Sequence, residues 1–157
     1  MLCLVQAAKF NDKYLRDKIR FAYSAREAFV IARNYDFKKR KDWESPIPPD
    51  NEIFKESVMR YALFSKFTQH NKLKYKLLST GKAKIFEHTE NDRYWGDGGR
   101  NHDGLNRLGI MLQETRKILM EDEQTKLIDK YKPYLYVKWI LTELKELRQF
   151  DDLMEFD

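Results

Sequence analysis

The first residue whose type invites chemistry is a lysine set in an apolar run. Lys9 follows Val5-Gln6-Ala7-Ala8 and precedes Phe10, where partial removal from water favours the neutral, nucleophilic amine. The same place also suits a lysine that lays its stem on the surface and keeps its charge in solvent. Two carboxylates, Glu87 and Asp92, open the polar segment 87–104, EHTENDRYWGDGGRNHDG. They can act as acid, base or hydroxyl acceptors, or cap a loop and pair with surface cations. Trp43 and Trp95 offer flat faces to a heteroaromatic ring, or to the core. Arg40 and Lys41 stand just ahead of Trp43, and Asn106 and Arg107 at the start of a helix, where an anion such as a diphosphate is favoured. Asp97-Gly98-Gly99 can present backbone N–H groups to a phosphate, or simply turn the chain.

Several chemistries find no pattern here. His70, His88 and His102 have neither the HExxH arrangement nor a Cys/His zinc spacing, and no calcium-loop pattern occurs, so no metal is expected. GxSxG, the phosphate-binding P-loop and a strand-linked GxGxxG are likewise missing, and no cofactor is expected. A single cysteine, Cys3, rules out an internal disulfide framework. No run approaches the ~20 apolar residues that span a bilayer, and the apolar start lacks the marks of a signal peptide. The expectation is an intracellular protein without membrane contact, cytoplasmic, with the nucleus as the alternative.

The elements that must hold these residues read mostly as helix. With 42% hydrophobic and 14% aromatic residues in 157, the chain can build one sizeable core. Residues 2–10 carry apolar groups at helical spacing, and Asp12 is placed to cap a second helix whose Leu15 and Ile19 share a face. Ser24 and Glu27 have capping-box spacing and start a helix to about Arg33. Pro46-Ile47-Pro48-Pro49 breaks the chain. Asp50 then suits the N-cap of a long helix to about Gln69, apolar on two sides: Phe54, Val58, Tyr61, Ala62 and Ser65 on one, Met59, Leu63 and Phe67 on the other. A short helix over 72–79 ends at Gly81, a candidate for left-handed backbone. Residues 83–86 suit a short strand. The aperiodic segment 87–104 is the one long loop, a usual home for function. Leu105, Leu108, Leu112, Thr115 and Leu119 restore helical spacing. A last helical stretch, interrupted at Pro133, has Val137, Ile140, Leu141 and Leu144 on one face. The fold class is mainly α with at most a small β element, with a domain over 1–122 and a helical extension over 123–157.

Charge is uneven. Lys and Arg outnumber Asp and Glu by 11 to 5 in residues 1–43, whereas the remainder is nearly balanced at 19 to 20. That bias suits polyanionic partners such as nucleotides or nucleic acid, although a charge cluster is commonly just a solvated face.

Ordered motifs along the chain resemble one family. Gln6-Ala7-Ala8-Lys9-Phe10, Arg40-Lys41-Asp42-Trp43, Val58-Met59, Lys66-Phe67-Thr68-Gln69, Leu77-Leu78-Ser79-Thr80-Gly81 and Phe86-Glu87 are similar, in order, to the NADAR (YbiA-like) domain. So are Asn91-Asp92-Arg93-Tyr94-Trp95-Gly96-Asp97-Gly98 and Gly104-Leu105-Asn106-Arg107-Leu108-Gly109, followed by Leu112, Glu114 and Arg116. The resemblance runs over about 4–120.

It implies a mostly helical domain that cleaves N-glycosidic bonds in ADP-ribose-like or riboflavin-precursor nucleotides, including removal of ADP-ribose from guanine. It implies Lys9 as the amine that forms a Schiff base with an opened ribose, and Glu87 and Asp92 as catalytic carboxylates. Gln6, Arg40, Trp43, Trp95, Gly96, Gly98 and Asn106 are then the ligand-binding set, with a nucleotide or ADP-ribosylated guanine, free or within nucleic acid, as partner. Gly109 is expected to serve close helix packing instead. The family pattern also has a Glu-His pair where this chain has Leu2 and Cys3, preceded by a β-containing segment. Without that acid, the expectation is weak turnover, restored by a family-like N-terminal segment. The competing functions are a nucleotide-binding module without catalysis and a basic helical nucleic-acid binder.

Overall fold

The computed structural model describes residues 2–121, so the extension over 123–157, with its break at Pro133, lies outside the described residues. Six helices and one two-stranded sheet make the described chain mainly α. Its contacts fall into two compact units, one ending at Met59 and one starting at Arg60.

The first unit begins with helices α1 (Leu2–Ala7), α2 (Lys13–Arg20) and α3 (Ala25–Asn34). Ala7, Phe10, Leu15, Ile19, Ala28 and Ala32 form one buried apolar cluster. Two of them, Ala28 and Ala32, lie on one face of α3, and their small size lets the helices approach closely. Asp12 caps α2 as expected, its Oδ1 accepting from Leu15 N at 3.1 Å. Ser24 Oγ accepts from Glu27 N at 3.1 Å. The return bond of this cap differs from a capping box: Glu27 Oε2 takes Tyr23 N, one residue earlier, at 2.7 Å.

The proline-rich stretch differs from the expected break. Strand β1 (Pro46–Ile47) pairs antiparallel with β2 (Glu52–Ile53), Pro46 opposite Ile53 and Ile47 opposite Glu52. Helix α4 (Phe54–Gln69) therefore starts four residues after Asp50, so Asp50 is not its N-cap. Its first free N–H groups are met by the main chain: Phe54 N donates to Ser45 O at 3.0 Å and Lys55 N to Trp43 O at 3.1 Å. Both expected apolar stripes hold buried residues, Phe54, Val58 and Ala62 on one and Met59, Leu63 and Phe67 on the other.

In the second unit, α5 (Asn71–Leu78) is followed by Gly81 in the left-handed region at φ +54°. No strand forms over 83–86. Side chains occupy its main-chain carbonyls instead: Arg116 Nη2 donates to Ala83 O, and Asn106 Nδ2 to Ile85 O, both at 2.9 Å. Helix α6 (Arg107–Met120) buries Gly109, Met111, Thr115, Arg116 and Leu119. Its inward stripe is thus rotated from the expected one, and Leu105 lies exposed before the helix begins. At Gly109 a Cβ would collide with the Ile85 carbonyl and the Asn106 amide, so the expected close approach is real.

Candidate active site

The loop from 87 to 106 is built around Gly96 and Asp97. Gly96 N donates to Asp92 O at 3.1 Å, and Asp97 N to Glu87 O at 2.9 Å. A side chain at Gly96 would strike the Thr89 side chain and press on the carbonyls of both Asp92 and Glu87. The glycine thus brings the backbones of the two candidate carboxylates to the same spot, and its role is close packing. Gly98 has φ +81°, and a Cβ there would meet Asp103 Oδ1 and Gly104 N. It serves the turn.

Asp92 Oδ1 accepts from Tyr94 N at 3.0 Å and Trp95 N at 2.8 Å. That is an aspartate turning its own loop, and it employs only one carboxylate oxygen. Glu87 is exposed; its backbone N–H, not its carboxylate, is tied down, donating to Asn106 Oδ1 at 2.9 Å. Trp95 is half-buried, with its ring edge-on to Tyr94 at 5.1 Å. Asn106 is buried with both amide atoms spent on Ile85 O and Glu87 N. Its side chain holds the 85–87 segment beside α6, and the backbone N–H groups expected to meet an anion have partners too: those of Asn106, Arg107 and Leu108 donate to the carbonyls of Gly96, Tyr94 and Trp95 at 2.8, 3.1 and 3.1 Å.

Asp97 is the most heavily engaged acid of the loop. Its Oδ1 accepts from Gly99 N at 2.9 Å and Thr89 N at 3.3 Å, and its Oδ2 meets His102 Nδ1 at 2.9 Å and His88 Nδ1 at 3.1 Å. The bond to His88 is the largest influence on its carboxyl. Against the opposing cost of burial, and with the other three bonds, it holds the group well below the usual carboxylate range. In sequence Asp97 is legible only as the start of an Asp-Gly-Gly turn. Nothing in the spacing of His88 and His102 signals that they converge on it.

The first unit holds the other candidates. Lys9 sits just past the end of α1, and Lys9 O accepts from Arg40 N at 2.8 Å. Burial, above all, lowers the Lys9 pKa; Asp36 acts against this and Lys39 with it. Gln6 is 6% exposed, and its Oε1 is buried without a hydrogen-bond partner among the described residues. A buried orphan carbonyl of this kind costs stability and calls for an explanation. Arg40, expected to meet a diphosphate, is instead committed locally. Its Nε and Nη2 donate to Asp42 Oδ1 and Oδ2 at 2.6 and 2.7 Å, and its guanidinium lies 4.0 Å from the centre of the Phe54 ring. Trp43 is likewise corrected to a core residue: at 5% exposure, with its ring edge-on to Phe54 at 5.9 Å, it has no free face to stack on a base.

The NADAR domain family matches residues 3–120. The chain belongs to the NADAR domain family. N-glycosidase YbiA of Shigella flexneri is 49% identical over 114 residues, 73% of this chain and 66% of that protein. A riboflavin biosynthesis protein of Vibrio vulnificus is 38% identical over 116 residues, 74% of this chain but 29% of that one. The solved NMR structure of the Escherichia coli protein YbiA shares the fold at a TM-score of 0.67 and 43% identity, covering 78% of this chain and 68% of that one. The chain thus spans just under two-thirds of the length of the Shigella relative. No helix among the described residues is long and apolar enough to cross a membrane.

Proposed function

We propose that this NADAR chain is an N-glycosidase that hydrolyses a nucleotide-like N-glycoside through a lysine imine, with ADP-ribosylated guanine as the substrate class. One observation carries the reading: Lys9, the lysine of the QxxKF motif, is half-buried, and burial lowers its pKa in the direction that favours a nucleophilic amine. The relatives named N-glycosidase support the reaction type.

In this scheme the C1′–O4′ bond breaks first, O4′ takes a proton, and C1′ is left doubly bonded to the base nitrogen as an open-chain iminium. The Lys9 amine adds to C1′ to give an aminal, which collapses as the bond from C1′ to the base nitrogen breaks and the base leaves with a proton. The two amine protons balance those taken by O4′ and the base, leaving the Lys9 imine, and water then hydrolyses it, releasing the sugar and regenerating the amine. Glu87 and Asp92 are the carboxylates proposed to supply and take up these protons. Asp92→Asn keeps an acceptor for the Tyr94 and Trp95 N–H groups. Stability should therefore stay within ~0.5 kcal/mol, while turnover falls ~100- to 10,000-fold if Asp92 moves a proton.

The decisive experiment is reductive trapping. Borohydride added during turnover of ADP-ribosylated guanosine should leave a sugar adduct on Lys9, found by peptide mass mapping. Lys9→Arg keeps a charge, lacks a usable amine and should leave no adduct. An adduct on another lysine, or turnover untouched by Lys9→Arg, would overturn the mechanism. Binding without turnover is favoured by one feature, the Leu2 and Cys3 that stand where the family pattern has Glu-His, with Cys3 packed against the apolar cluster. Saturable ADP-ribose binding with no product from any ADP-ribosylated guanosine or riboflavin precursor would establish that second reading.

A further inference from the structure

The loop carries one cluster that glycoside hydrolysis leaves unused. The two oxygens of Asp97 are divided: Oδ1 is fixed by the Gly99 and Thr89 N–H groups, while Oδ2 faces Nδ1 of both His88 and His102. The side chain of Asp97 is 4% exposed, whereas the two imidazoles are 65% and 67% exposed. The ring centres lie 5.8 Å apart, and one donor atom from each of the three residues falls within 4.8 Å of the others. We infer that His88, Asp97 and His102 form a three-ligand site for a divalent transition-metal ion of the zinc type.

The donor set selects the class of ion. Two imidazole nitrogens and one carboxylate oxygen suit zinc, cobalt, nickel or copper, whereas magnesium and calcium favour oxygen alone. The separations agree. With metal–ligand bonds of ~2.0–2.1 Å, adjacent donors are about 2.9 Å apart in an octahedral shell and about 3.4 Å apart in a tetrahedral one. The Asp97–His102 and Asp97–His88 separations, 2.9 and 3.1 Å, lie at or between those values. The edge between the two imidazoles must shorten, and because both rings face solvent this displaces water, not packed neighbours.

The site is also held in advance. Ligating carboxylates are oriented by hydrogen bonds from a surrounding shell, and the Gly99 and Thr89 N–H groups do this for Asp97. Asp97 O accepts from Gly104 N at 2.8 Å, and His102 itself has φ +49°, so the loop closes tightly around the ligands. Proton balance is simple. A neutral imidazole that donates Nδ1–H to Asp97 shifts that proton to Nε2, and the freed Nδ1 lone pair goes to the ion. Three protein ligands leave at least one position to water, as in exchangeable sites.

The test is titration of the full chain with zinc chloride in a non-chelating buffer, followed by calorimetry and by imidazole nitrogen NMR. One zinc should bind per chain, moving the Nδ1 resonances of His88 and His102 while those of His70 stay. His88→Gln and His102→Gln should each weaken zinc binding at least ~10-fold, with backbone amide signals outside 88–104 unchanged as the check on folding. Magnesium chloride should produce neither heat nor shifts. Asp97→Asn also disturbs the loop backbone, so the exposed histidines carry the test. Zinc affinity unaltered by both substitutions, loss of binding on Cys3→Ala or His70→Gln instead, or Nδ1 protons that persist at saturating zinc would each overturn the site. Lys9→Arg should leave zinc binding intact, so failure of the glycosidase reading and failure of this one are told apart.

Discussion

The segment around Gln6 and Lys9 and the loop from 87 to 106 treat their polar groups in opposite ways. In the loop, Asn106 spends both amide atoms and Asp97 both oxygens on local partners. Beside Lys9, the buried Gln6 Oε1 has no partner among the described residues, and burial disfavours the charge on the amine. The first pattern builds a rigid frame at low cost. The second retains unused hydrogen-bonding capacity and reactivity, which is what a ligand or a reacting carbon would use. Strong polar engagement in a motif is therefore a poor guide to contact with substrate.

The largest effect that could break this contrast is at Lys9. Lys9→Arg should reduce turnover by ~1,000-fold or more, equivalent to about 4 kcal/mol of barrier. In the unsubstituted chain, turnover should rise with pH along an acid limb set by the neutral amine, lying below the ordinary lysine range. Stability should follow the same direction. Where the folded state has already lost the Lys9 proton and the unfolded state still holds it, the unfolded state binds more protons, so stability rises with pH across that window. Urea midpoints of the chain and of Lys9→Met across this window measure it, and a flat difference would place Lys9 on the surface.

Next in size is Asn106→Leu, which strips partners from both Ile85 O and Glu87 N. Two stranded main-chain groups cost ~2–4 kcal/mol, and the denaturant midpoint should fall accordingly. A loss below ~0.5 kcal/mol would mean that water replaces the amide and that the loop is looser than its bonds suggest. Gln6→Met reverses the sign. Replacing the orphan carbonyl by an apolar group of similar length should leave stability unchanged or slightly raised. ADP-ribose affinity should drop ~10-fold if that carbonyl holds the ligand.

Much of this was legible in the sequence, for reasons that are local. Asp12 and Ser24 cap helices through neighbours three residues away, and Gly81 takes a left-handed turn that its type favours. The start of α4 was not legible from Asp50, because its N–H groups are met by carbonyls at Trp43 and Ser45. The expected strand over 83–86 failed for the same kind of reason, since its partners are side chains of Asn106 and Arg116, 21 and 33 residues away. In the candidate site, the motif implied ligand binding at Gly96, Gly98 and Asn106. What spacing could not convey is the backbone geometry there: Gly96 is closely packed, and Gly98 and Asn106 take a positive φ. Trp43 and Arg40 show the same limit, since composition cannot tell a stacking face from a core ring, or a free cation from a paired one.

The smallest effect tests that last distinction. Arg40 belongs to the same unit as Lys9, yet its pair with Asp42 makes it as satisfied as anything in the loop. The hydrogen bond from Arg40 is the main cause that holds the Asp42 carboxyl below its ordinary range, with burial opposing it. A depressed carboxylate contributes stability above its unfolded value and loses it as pH falls toward its folded one. Asp42 is 49% exposed on its side chain, so solvent screens the pair and Asp42→Asn should cost less than ~1 kcal/mol. That difference from the unsubstituted chain should vanish in acid, once both chains lack the charge, and shrink in high salt. The Phe54 ring still receives the guanidinium in the variant. Arg40 should then stay in place, and ADP-ribose affinity should change less than twofold. A clear gain in affinity on Asp42→Asn, suppressed by salt, would show that the freed guanidinium reaches the diphosphate, and would return Arg40 to the ligand-binding set.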